Sequence, residues 1–279
     1  MTRGGDMLVG GAETLQGIDG ERHLASWGGD EVDRVVVVCH SLREHVGMYE
    51  PLAEALVAGA AQVYALDQAG HGRSEGTPGL LDDLDTAVDD QRLVLHLARA
   101  RHPEVPLVVL GHGTGATLAV RLAQHLQTNL AALVLAAPLL GTVAGPHGGD
   151  PRLDTNPFPA RDLSRDPAVG GRFLTDPLVW HGELPIRTAV ALHEGLQAIG
   201  RGPRLRLPVL RLHGDADTIV PPEPSTAAIR RLVDPESLTD EVVPGGRHQL
   251  LLGTEREHTV PAITGFLAAG LRPSPNALA

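Results

Sequence analysis

Six short apolar runs, at residues 35–39, 63–66, 107–110, 133–136, 209–212 and 241–243, set the strongest limit on what this chain can fold into. Most are apolar throughout and do not alternate, the pattern of strands covered on both faces. Between them lie segments with helical spacing, at 49–58, 82–101, 116–126, 224–232 and 256–267. The longest carries Leu84, Val88, Leu95 and Ala98 on one face, and the carboxylates of Asp82, Asp83 and Asp85 favour its N-terminus. Strand and helix in alternation predict an α/β class: a mostly parallel central sheet flanked by helices.

Residues 139–206 interrupt that alternation. They hold Gly145-Pro146, Gly148-Gly149 and Asn156-Pro157-Phe158-Pro159, followed by a helix-like stretch at 187–199. The segment reads as an inserted cap, with 1–138 and 207–279 forming the core. Such a cap would cover the carboxyl ends of the strands, where ligands bind in open α/β sheets. Its apolar residues include Phe158, Phe173, Leu174, Leu178 and Trp180. Phe158, Phe173 and Trp180 are candidate pocket residues, and ordinary packing explains any one of them equally well.

The bulk properties exclude several classes. With 279 residues, 42% of them hydrophobic, the chain can build one large domain or a core with a small insertion. A net charge of −11 argues against nucleic acid or an anionic membrane as the main partner. The single cysteine, Cys39, excludes an intramolecular disulfide framework and fits a reducing, cytoplasmic setting. Residues 1–20 are glycine-rich, without a basic then apolar leader, and no apolar stretch reaches transmembrane length, so neither signal peptide nor span is expected. Composition leaves the oligomeric state open.

The run at 107–110 leads into Gly111-His112-Gly113-Thr114-Gly115 and then a helical stretch. Strand, sharp turn and helix form the setting of a nucleophile elbow, G-x-S-x-G, but the central residue here is Gly113. An elbow serine sits in a strained backbone conformation costing about 1–3 kcal/mol. Glycine relieves that strain and removes the attacking oxygen. The rest of a triad is present in the expected chain order. Asp217 follows the run at 209–212, within His213-Gly214-Asp215-Ala216-Asp217, and His248 follows the run at 241–243 in a glycine-rich loop. A carboxylate behind an imidazole fixes its tautomer and supports its charged form. Asp215 is the alternative acid, with holding the turn as its simpler role. The loop Cys39-His40-Ser41-Leu42-Arg43-Glu44-His45 should supply oxyanion donors, with the backbone amides of Leu42 and Thr114 as candidates. Ser41 and Thr114 are also candidate substitute nucleophiles, and Ser41 a candidate pocket-floor residue. His40 and His45 lack a clustered ligand pattern, so no metal is expected. Gly70-His71-Gly72 reads as a turn and not a phosphate loop, because no Lys-Ser/Thr follows.

The pieces His40-x-Leu42-x-Glu44-His45, Asp67-x-x-Gly70-His71-Gly72-Arg73-Ser74, Thr175-Asp176-Pro177-Leu178-Val179, His213-Gly214-x-x-Asp217 and Gly246-x-His248 run over most of the chain. Together with the elbow they resemble the monoacylglycerol lipase and lysophospholipase-like group of α/β-hydrolases, the serine aminopeptidase S33 type. The resemblance implies an α/β-hydrolase fold, a soluble or membrane-peripheral protein, no cofactor, and cleavage of acyl esters such as monoacylglycerols. Departures cluster at the pocket. The group would carry Gly at Ser41, Ser at Gly113, often Met at Thr114, Gly at Ala116 and Glu at Gln249.

Three readings follow. In the first, His248–Asp217 serves as a general base and the two amides as an oxyanion hole, without covalent catalysis, for epimerisation, elimination, cyclisation or retro-aldol-type chemistry on an acyl or carbonyl compound, as in secondary metabolism. In the second, the chain is a monoacylglycerol lipase-type ester hydrolase inactivated by glycine at 113, natural or engineered. In the third, it is a non-catalytic binder of a hydrophobic or acyl small molecule.

Overall fold

The computed structural model describes residues 10–28, 32–141, 159–269 and 271. Its order is β1 (Gly11–Gly17), β2 (Gly20–Trp27), β3 (Arg34–Cys39), α1 (Glu50–Ala58), β4 (Ala61–Leu66), α2 (Leu84–Arg101), β5 (Leu107–His112), α3 (Thr114–Leu126), β6 (Ala132–Ala136), α4 (Pro167–Thr175), α5 (Ile186–Arg201), β7 (Val209–Gly214), α6 (Pro222–Leu232), β8 (Leu238–Val243) and α7 (Arg256–Ala268). All eight strands form one sheet in the order β1-β2-β4-β3-β5-β6-β7-β8. From β4 to β8 every pairing is parallel. The six apolar runs all lie within these strands, and β3, β5, β6 and β7 are buried almost end to end.

Helices cover both faces. One apolar layer joins α2, α3 and α5 to the sheet through Val88, Leu95, Leu118, Leu122, Leu192 and Ile199. The other joins α1 and α7 through Leu52, Leu56, Ile263 and Leu267. Asp83 caps α2 by accepting from Thr86 N–H at 2.8 Å, within the acidic start expected for that helix.

Two elements differ from the sequence reading. The glycine-rich N-terminal region contains the antiparallel hairpin β1–β2, closed by Gly17 opposite Gly20. Its strand β1 alternates exposed and half-buried residues, so no apolar run announces it. Between β6 and β7, α4 is an added helix, opened by Asp166 accepting from Ala168 N–H at 2.9 Å and by Pro167 in the first turn. Within the cap reading, Phe158 and its Asn-Pro neighbours lie outside the described residues. Among the described residues no helix is long and apolar enough to cross a membrane, and no cluster of three or more metal-ligating side chains occurs.

Candidate active site

The carboxyl ends of β3, β5, β7 and β8 deliver the site. Gly113 follows β5 with φ 55° and ψ −117° and caps α3. This is the left-handed backbone of an elbow, where glycine is unstrained. Gly113 N–H donates to Ala136 O at 3.0 Å, and Leu139 N–H donates to Gly113 O at 3.1 Å, so the turn is pinned to the end of β6.

The loop after β8 brings His248 over this turn. His248 Nδ1 lies 2.9 Å from Asp217 Oδ2, and both side chains are buried. That bond places the Nδ1 proton toward the carboxylate and leaves Nε2 facing the elbow, 3.2 Å from where a Cβ on residue 113 would stand. Asp217 Oδ1 accepts from Ile219 N–H and Val220 N–H, each at 2.9 Å. His213 Nε2 adds a contact to Asp217 Oδ2 at 3.3 Å. Burial opposes the charge on Asp217, but His248, the His213 contact and the Val220 amide together hold its carboxyl well below the usual range. Behind His213 sits the buried Arg211, whose Nη2 donates to His213 Nδ1 at 2.8 Å and fixes the ring proton on Nε2. Asp215 instead accepts from Gly245 N–H at 2.6 Å and holds the turn.

The two candidate oxyanion amides converge from the β3 loop and the start of α3, but each already has a partner. Thr114 N–H donates to Ser41 Oγ at 3.2 Å. Leu42 N–H donates to Thr114 Oγ1 at 2.7 Å, and the two hydroxyl oxygens lie 3.2 Å apart. Any ligand oxygen seeking these amides has to displace a hydroxyl.

Beneath this half of the site lies a buried cluster around Glu44. Its carboxylate accepts from Ser41 N–H at 2.9 Å, from Tyr49 Oη at 2.5 Å and from Gln249 Nε2 at 2.7 Å. His112 Nδ1 stands 3.2 Å from Glu44 Oε2, and its Nε2 3.1 Å from His248 O. Both ring nitrogens therefore face acceptors, which favours the doubly protonated ring. Burial works against that charge, but Glu44 outweighs it and the His112 pKa is raised. Glu44 in turn, despite burial, is lowered to about 2 by His112, Tyr49 and the Ser41 amide. The glutamine at 249 now has a physical reason. A carboxylate there would face Glu44, whereas the amide donates to it.

The loop after β3 is also tied to the segment between α4 and α5. Arg43 Nη1 donates to Trp180 O at 3.1 Å and Gly182 O at 2.6 Å, and Trp180 N–H donates back to Arg43 O at 3.1 Å. His45 Nε2 lies 2.9 Å from Asp176 Oδ2. Of the pocket candidates, Phe173 packs with Leu163 and Val179 in a small apolar cluster, against Met48 and Ile219. The Trp180 ring abuts Gly79 and Gly182, and its Nε1 donates to Glu183 O at 3.2 Å. Both residues thus have packing roles. The buried thiol of Cys39 is pushed up to about 12 by desolvation.

Sequence reasoning missed the bracing roles of Arg211, His213, Glu44 and His112. The signal available was chemical: an arginine inside an otherwise apolar strand, and a glutamate beside the oxyanion loop, both need buried partners.

Comparison with known proteins agrees with this architecture. Residues 30–257 match the profile of the family described as serine aminopeptidase, S33. A monoacylglycerol lipase of Mycolicibacterium smegmatis is 33% identical over 252 residues, covering 85% of this chain and 89% of that protein. The crystal structure of Paleococcus ferrophilus monoacylglycerol lipase superposes with a TM-score of 0.74 at 26% identity, over 88% of this chain and 98% of that one. A soluble variant of the Saccharomyces cerevisiae monoglyceride lipase, solved with a substrate analogue, shares the fold with a TM-score of 0.82 at 16% identity, over 95% and 96% of the two chains. The eight-stranded α/β sheet is thus an α/β-hydrolase fold, and the chain belongs to the serine aminopeptidase, S33 family as an α/β-hydrolase of the monoacylglycerol lipase type.

Proposed function

We propose that this enzyme acts on an acyl or carbonyl small molecule by proton transfer through His248, with Asp217 as its orienting carboxylate and no covalent acyl intermediate at the elbow. One observation carries the reading. His248 Nδ1 is held by Asp217 at 2.9 Å while Nε2 faces Gly113, beside the Ser41 side chain. A ligand seated there offers its proton to a base that is already oriented. Segment 139–206, of which 139–141 and 159–206 are described, is the proposed cap, and a hydrophobic or acyl ligand suits a member of a family with monoacylglycerol lipase relatives.

The test is to incubate the protein in deuterated water with monoacylglycerols, lactones and β-keto esters, and to follow mass and structure of the recovered compounds. Solvent deuterium or rearranged product, formed by the unchanged protein and not by His248→Gln, is the expected result. Ligands that bind and return unchanged in both forms sink the reading and leave a binding protein.

A second reading has its own support. The hydroxyls seated on the Leu42 and Thr114 amides favour a monoacylglycerol lipase-type ester hydrolase whose covalent chemistry is switched off. Both readings predict a site unable to hydrolyse ordinary esters as it stands.

A further inference from the structure

Ser41 and Gly113 meet directly under His248. A Cβ built on Gly113 would fall far inside contact distance of Ser41 Oγ, and would stand 3.0 Å from Ser41 Cβ and 3.2 Å from His248 Nε2. The Ser41 side chain therefore fills the space that an elbow serine would need. The same hydroxyl accepts the Thr114 amide at 3.2 Å, and its neighbour, the Thr114 hydroxyl, accepts the Leu42 amide at 2.7 Å. Ester hydrolysis through an acyl-enzyme needs those amides for the oxygen of the tetrahedral intermediate. Ser41 thus stands in the way of two requirements at once, the nucleophile's room and one oxyanion donor.

We propose that Ser41 is the specificity-determining residue of this site. It bars a nucleophile at position 113 and occupies the oxyanion seat, so positions 41 and 113 act as one coupled pair. A ligand here meets hydroxyls in place of amides. Two hydroxyls carry two protons, and the 3.2 Å contact between their oxygens uses one of them. The other is left for a ligand oxygen. One rotatable hydroxyl donor suits a neutral carbonyl or alcohol better than the oxyanion of ester hydrolysis. The inference concerns which chemistry the site excludes, and it holds whether the protein transforms its ligand or only binds it.

Four forms of the full chain test it: unchanged, Ser41→Gly, Gly113→Ser, and both together. The readouts are p-nitrophenyl butyrate hydrolysis, covalent uptake of a fluorophosphonate measured by intact mass, and thermal melting. The first three forms should be silent and unlabelled. The double variant should take up one fluorophosphonate and hydrolyse the ester at least about 100-fold faster than Gly113→Ser, the loss that follows when an oxyanion donor is removed. Gly113→Ser alone should melt below both the unchanged chain and the double variant, because its added Cβ has to displace Ser41. If Gly113→Ser fails to fold and the double variant folds, the coupling stands on that result. The proposal falls if Gly113→Ser alone matches the double variant in rate and melts like the unchanged chain. It falls equally if the double variant is folded but silent and unlabelled.

Discussion

On the β7–β8 side of the site, His248 rests on Asp217, Asp217 on two backbone amides and His213, and His213 on the buried Arg211. On the β3–β5 side the backbone turn of an elbow is kept, but glycine stands at its centre and hydroxyls sit on the amides. One side is a braced acid–base pair, and the other has been refilled with small polar side chains. Glycine at the centre of the elbow leaves the His248–Asp217 pair fully supported. The supports of this imidazole come from β7 and the loop after it and include no contact to residue 113.

The sharpest way to break that comparison is to remove the base. In the Ser41→Gly/Gly113→Ser background, His248→Gln should lower the p-nitrophenyl butyrate turnover number by on the order of 10²–10⁴-fold. A loss under tenfold would mean that the braced side no longer reaches the elbow. A smaller effect separates the supports of the two halves. Glu44→Ala strands His112 and several buried donors, so the unfolding free energy read from urea titration should fall by about 3–5 kcal/mol. Arg211→Met removes hydrogen bonds of the other half and should cost about 1–3 kcal/mol. The reverse ranking would mean that the refilled half is the less dependent on its polar floor.

Acid stability sharpens the same contrast with the sign fixed. The pKa values of Asp217 and Glu44 are lowered in the folded chain, so each stabilises above its unfolded value and is lost as pH falls through its folded one. Glu44 drops from 4.5 to about 2, so the melting temperature should decline from just above pH 4.5 down to pH 2. His112 is raised, so its contribution is complete below its ordinary 6.5 and fades as pH rises through the folded value. Melting curves across pH should therefore show a broad optimum, and Glu44→Ala should flatten both limbs. The mildest expectation concerns Cys39, which pairs in register with Gly111 on the refilled half. Its buried thiol, shifted to about 12, should ignore a disulfide reagent at pH 8 in the native protein and react fully in denaturant. Reaction in the native state would show that this half opens.

The parallel sheet was legible because its strands are buried on both faces and therefore apolar throughout, as β3, β5 and β6 show. The hairpin β1–β2 was not, because its order comes from cross-strand pairing, such as Leu15 opposite Arg22, and not from a burial pattern. Helix α4 escaped because it is only nine residues long and carries Pro167, Gly170 and Gly171, residues that read as breakers of a helix. At the site, residue types in loop positions sufficed to nominate Asp217 and His248, which the fold brings within 2.9 Å. The occupied amides could not be read that way. They depend on Ser41 and Thr114 meeting across 73 residues of chain. The departure at Gln249 likewise made sense only once Glu44 was found 2.7 Å from its amide.

The space shared by residues 41 and 113 also limits what a single substitution at the elbow can achieve. A chain that returned a serine to the elbow while keeping Ser41 would meet a clash and an occupied oxyanion seat, and would gain nothing selectable. A chain that first restored glycine at 41 would lose a buried hydroxyl and still lack a nucleophile. Neither change alone completes an elbow, so on the proposed coupling the two positions behave as a latch that opens only when both are changed.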